Sequence, residues 1–155
     1  MSILEKRIET IDELLDGIKY DYVELISILE DNDIFNNPQK RRIVNSFLFT
    51  FSKLQDNIGA KLFKEVLYEL KEIEFKHTPM LDILYKLEQL NMLENVEEWE
   101  ILREIRNDLA HEYPMEFENR KENLKKAIWG YKELQKVYSK IKNYLLDKNI
   151  IKEEK

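Results

Sequence analysis

The chain is predicted to be all-α, an up-and-down antiparallel bundle of four to five helices, and three observations carry that expectation. Apolar residues recur at steps of three and four through most of the sequence, the spacing of one helix face. Only 3 glycines and 3 prolines occur in 155 residues, too few turn-formers for a many-stranded sheet. No segment shows the apolar–polar alternation of a half-buried strand. The length suits one domain with one core, residues 1–155.

The elements follow in order. Ser2 and Glu5 form an S-x-x-E capping box that starts the first helix. Leu4, Ile8, Ile11, Leu15, Ile18, Tyr22, Leu25 and Leu29 then fall on one face. "DNDIFNNP" reads as a polar break, with Asn37 as cap and Pro38 at the first position of the second helix. Val44, Phe47, Phe51, Leu54, Ile58, Leu62, Val66 and Leu70 make its stripe, with a bend expected near Gly59. "KHTP" breaks the chain again, and Thr78 is expected to cap a third helix that Pro79 opens and that runs to about Leu90. Asn95 and Glu98 resemble another capping box. The fourth helix turns Trp99, Leu102, Ile105 and Leu109 inward and is expected to end at Tyr113, because the residue before a proline is pushed out of helical geometry. The last helix buries Leu124, Ala127, Tyr131, Leu134, Tyr138, Ile141 and Leu145. Each stripe reads as core, and none calls for a cofactor.

Composition narrows the function. With 43% apolar and 36% charged residues the chain can fold rather than remain disordered. The absence of cysteine excludes disulfides, thiolate nucleophiles and Cys-based zinc sites, and fits a reducing cytoplasm. No apolar run approaches the roughly 20 residues that cross a bilayer, and "MSILEKRIETIDELL" has no signal-peptide pattern. A cytoplasmic protein without a membrane partner is therefore expected. The net charge is −6, but nine lysines and arginines against three acids lie between Asn119 and Lys148, which leaves −12 on residues 1–118. That acidity argues against indiscriminate coating of nucleic acid and leaves room for a local basic face.

The chemistry gathers in "REIRNDLAHEYP", Arg103 to Pro114, which holds one of only two histidines. Asn107 and His111 are four residues apart and share a helix face, as do Asp108 and His111 at three. Arg106 and His111, five apart, stand about 140° and about 7.5 Å apart on an ideal helix. They do not stack, but a long guanidinium and an imidazole can approach one phosphate from two sides. Arginine binds phosphate bidentately without losing its charge, and histidine can move a proton near neutrality. Together they can break RNA without a metal, one group deprotonating the ribose 2′-hydroxyl and another protonating the 5′-oxygen. One such histidine per chain is too few for separate acid and base, whereas a two-fold dimer supplies two. Taken alone, these residues read first as an ordinary helix end with His111 as a cap. A metal site is not expected, since Asp108, His111 and Glu112 offer too few ligands and His77 lies in another loop.

Arg106-Asn107-Asp108-Leu109-Ala110-His111-Glu112-Tyr113 resembles the Arg-x4-His-x-Tyr signature of HEPN domains of the HepT type, and the polar Asn107 directly after the arginine is characteristic of them. "FLFTFSKLQDNIGAKLF", Phe47 to Phe63, resembles the second helix of that group, so the likeness spans about Phe47 to Pro114. The resemblance implies a HEPN-like bundle and a homodimer whose two motif helices line one cleft. It implies a metal-independent endoribonuclease that needs no cofactor, the toxin of a toxin–antitoxin pair whose antitoxin is a minimal nucleotidyltransferase. Carried over, Arg106 holds phosphate, His111 transfers protons, Asn107 orients the histidine or the backbone, and Tyr113 accepts AMP. The other implied reading is a non-catalytic helical subunit that docks with, or presents substrate to, a nucleotidyltransferase.

On the last helix Lys121, Lys125, Lys132, Lys136 and Lys140 fall at steps of four and seven, on one flank. They read first as a solvated face whose stems cover core edges. The functional alternative is an RNA track, with Lys132, Lys136, Lys140 and Arg103 as phosphate contacts.

Overall fold

The computed structural model describes residues 1–111 and 117–152. Among them it is all-helical, in five rods: α1 (Ile3–Ile28), a second rod from Pro38 to Glu69, α4 (Met80–Gln89), α5 (Val96–Ala110) and α6 (Phe117–Asp147). The second rod comprises α2 (Pro38–Asp56), a π-helical turn (Asn57–Leu62) and α3 (Phe63–Glu69). The expected all-α bundle is thus observed.

The helix starts show why these boundaries hold. Ser2 accepts the Glu5 N–H while the Glu5 carboxylate accepts the Ser2 N–H, so both halves of the first capping box form. Asn37 Oδ1 accepts from Gln39 and Lys40 with Pro38 at the first turn. Two starts differ from expectation. Pro79 is itself the cap of α4, and the Thr78 hydroxyl turns back to donate to the Phe75 carbonyl at 2.6 Å. Asn95 Oδ1 accepts the Glu98 N–H at 2.7 Å, but the Glu98 carboxyl is engaged by Glu133 on α6.

Helix ends use the left-handed conformation without glycine. Lys71, Asn91 and Asn149 have φ of 60°, 60° and 57° after α3, α4 and α6. In each the following amide reaches back five residues, as Glu72 to Leu67, Met92 to Leu87 and Ile150 to Leu145. Helix α5 stops at Ala110, with His111 as its C-cap at φ −115° and ψ 16°, three residues before the expected end at Tyr113. Tyr113 itself lies outside the described residues.

Pairings along the rods set their directions. Tyr138 of α6 donates to Asp12, Tyr22 packs on Tyr131, and Lys121 pairs with Glu30, so α6 runs antiparallel to α1. Glu98 meets Glu133, and Leu102 Cδ2 would lie 3.3 Å from a Cβ on Gly130, so α5 and α6 are antiparallel. The core between them holds Phe47, Phe51, Phe63, Trp99, Leu102 and Tyr131, all but excluded from water. Leu15, Tyr22, Leu29, Leu70 and Leu109 sit only partly buried at its edge. The "DNDIFNNP" break is less polar than it reads. Ile34 and Phe35 are buried, and Phe35 meets the Phe117 ring edge-on and carries the Arg120 guanidinium 4.3 Å above its own.

Candidate functional site

Helix α5 carries the motif, and its register against α2 is set by Gly59 and Trp99. A Cβ on Gly59 would lie 2.5 Å from Trp99 Cζ2, so only glycine lets the indole lie against that backbone. The surrounding turn, Asn57–Leu62, is π-helical, a distortion that re-aims the residues beside it. Trp99 and Arg106 are seven residues apart, two turns of α5, and so share a face. Asp56 ends α2 just before the π turn. Arg106 and Asp56 therefore meet. The Arg106 Nε–H donates to Asp56 Oδ1 at 3.2 Å and an Nη2–H to Oδ2 at 3.1 Å. The expected phosphate ligand is already held by a carboxylate that sequence reasoning missed.

Two clefts flank Arg106. One of about 350 Å³ is lined by Asp56, Gly59, Trp99, Arg103, Arg106 and Asn107. The other, about 470 Å³, includes Leu48, Phe49, Ser52, Arg106, Leu109 and Arg120. Arg103 and Asn107 are exposed beside the arginine, and Arg103 leans toward Glu100 at 3.7 Å. His111 is exposed, its N–H on the Asp108 carbonyl at 3.1 Å. No hydrogen bond joins Asn107 to His111 among the described residues. The structure thus gathers Arg103, Arg106 and Asn107 at one cleft, with His111 at the adjoining helix end.

The lysines lie elsewhere. Lys132, Lys136 and Lys140 line a groove of about 650 Å³ with Glu94, Glu98 and Glu133. That groove adjoins the start of α5, which by helix rise is roughly 20 Å from the His111 end. Lys132 Nζ sits 5.6 Å from the Tyr22 ring centroid, and Lys136 pairs with Glu133 at 3.2 Å. The Glu133 carboxylate, hydrogen-bonded to Glu98, raises the Glu98 pKa to about 7, helped by desolvation and by the charges of Glu133 and Glu94. Glu133 is shifted down by the same hydrogen bond and by Lys136. The Glu98 carboxyl therefore holds its proton well above the usual carboxylate range.

Among the described residues no group of three or more His, Asp or Glu could hold a metal ion, and no helix is long and apolar enough to cross a membrane. No family model, curated protein or solved structure matches this chain.

Proposed function

We propose that the chain is a metal-independent endoribonuclease, active as a homodimer, and the cytoplasmic toxin of a pair whose antitoxin is a minimal nucleotidyltransferase. The observation that carries this reading is the end of α5, where an arginine fixed on one edge and open on the other stands near an exposed histidine. The resemblance of the motif to HEPN domains of the HepT type supports it. In this reading Arg106 binds a phosphodiester with its outer edge. His111 takes the proton of the ribose 2′-hydroxyl, whose oxygen attacks the adjacent phosphorus. The partner's His111 gives a proton to the departing 5′-oxygen, so the products are a 2′,3′-cyclic phosphate and a 5′-hydroxyl. The arginine stabilises the charge of the pentacoordinate state. Arg103, Lys132 and Lys140 extend the path of the strand, and Tyr113 is the acceptor for AMP, whose added anion would compete with RNA phosphate for Arg106.

A second reading is favoured by one feature of the same cleft. Phe49 lines it and is 65% exposed, a hydrophobic anchor of the kind protein partners use. In that reading the face docks a nucleotidyltransferase and the motif is not catalytic. Expression of the wild type beside Arg106→Ala and His111→Ala separates the two. Arrested growth with fragmented RNA in the wild type alone supports the ribonuclease, and intact RNA in all three supports the docking subunit.

A further inference from the structure

The Arg106–Asp56 pair uses a particular part of the guanidinium. An arginine has five N–H donors in a fixed fork. The carboxylate takes Nε–H and one Nη2–H, which together form the inner edge. The two Nη1 hydrogens and the second Nη2 hydrogen form the outer edge, and no described residue claims them. That edge has the spacing of two oxygens on one phosphate.

As a stabilising contact the pair is weak in kind. Asp56 is 49% exposed and Arg106 32%, and ion pairs at such exposure contribute little to folding. What a two-bond pair does supply is direction, since it immobilises a long and rotamer-rich side chain. The elements beneath it are closely packed. Asp56 immediately precedes the π turn, and Gly59 within that turn lies against Trp99, two helical turns before Arg106. A tightly packed register in the core thus places a surface carboxylate under a surface arginine.

We propose that Asp56 is the positioning residue of Arg106, gripping its inner edge so that the outer edge faces a phosphodiester. The inference rests on the reading of Arg106 as a phosphate ligand. It treats Asp56 as part of the site and not as an anion that phosphate must evict.

The test uses the full chain with Asp56→Ala, Asp56→Asn and Asp56→Glu. Two readouts are taken: steady-state cleavage of an RNA oligonucleotide, and the Arg106 side-chain resonances during titration with the same oligonucleotide made uncleavable by 2′-deoxy substitution. Asp56→Ala should lower kcat by about tenfold to a hundredfold, the scale of a small misplacement of a catalytic group. KM should change less, and Asp56→Glu should recover part of the loss. In the wild type the oligonucleotide should shift the Nη resonances while the Nε–H stays protected, and in Asp56→Ala that protection should be gone before RNA is added. Wild-type kcat in Asp56→Ala, or a gain in cleavage or affinity, would overturn the proposal, the gain marking Asp56 as a block. If no protein cleaves RNA but the oligonucleotide still shifts Nη with Nε–H protected, the ribonuclease reading fails and the positioning role stands. If the oligonucleotide leaves every Arg106 resonance unmoved, both fail.

Discussion

Gly59 of the π turn and Trp99 of α5 are in contact so closely that a methyl group on Gly59 would lie 2.5 Å from the indole Cζ2. The indole has no easy retreat, because Phe63 packs on its ring at a centroid distance of 4.6 Å. Gly59→Ala should therefore destabilise the fold by about 1–3 kcal/mol, the usual cost of overpacking. Since Trp99 and Arg106 share a face of α5, the same change should also lower RNA cleavage. Urea unfolding checks the first effect, and an unchanged transition midpoint would contradict the packing described.

The same contact shows how far the fold could be read in advance. The apolar stripes were legible because helix period and burial coincide, and the caps at Ser2 and Asn37 were legible because short polar side chains have few other uses before a helix. An irregularity near Gly59 was visible from composition, and the structure has a π-helical turn there. Its cause was not, since Trp99 lies forty residues away and only tertiary packing brings it there. Asp56 was missed for the same reason. In "LQDNIG" it is an ordinary surface acid, and nothing local marks it as the partner of an arginine fifty residues on. The burial of Ile34 and Phe35 was hidden by the polar residues around them. The early stop of α5 reflects a cap at His111, which the residue-before-proline rule places too late.

Lys71 offers a test of backbone energetics. It holds φ 60° at the end of α3, where a side chain crowds its own carbonyl and glycine does not. Lys71→Gly should raise stability by about 1 kcal/mol, read as a higher urea midpoint at unchanged slope. A lower midpoint would mean that the lysine side chain does more than occupy the turn.

The Glu98–Glu133 pair predicts a pH dependence. Glu98 holds its proton in the native state up to about 7, against 4.5 for the free group. Between those values the unfolded chain has released a proton that the native chain keeps, so stability falls as pH rises through this window. Glu133 is shifted the other way, so its contribution is present above its ordinary value and lost in more acidic solution. Glutamine at position 98 can still donate to Glu133 but cannot ionise. Glu98→Gln should thus flatten the decline in thermal midpoint between pH 5 and pH 8, and an equal decline in both proteins would exclude the pair as its source.

The lysines of α6 should not act alike on RNA. Lys136 is paired with Glu133, whereas Lys140 lines the same groove and pairs with no carboxylate among the described residues. Each phosphate contact contributes about 0.7 to the salt slope of single-strand binding. Lys140→Gln should lower the slope of log affinity against log salt by about that amount, and Lys136→Gln should change it less. Equal slopes for the wild type and both variants would confine the RNA to the α5 cleft.

Metal-free cleavage of RNA by Arg106 and His111, as proposed, is measured with a defined RNA and purified protein in excess chelator, with the product ends identified. Cleavage should be undiminished and leave 2′,3′-cyclic phosphates, the rate in His111→Ala should be lower by about two to four orders of magnitude, and Arg106→Ala should show no cleavage above background. Activity abolished by the chelator, or His111→Ala cutting as fast as the wild type, would contradict it.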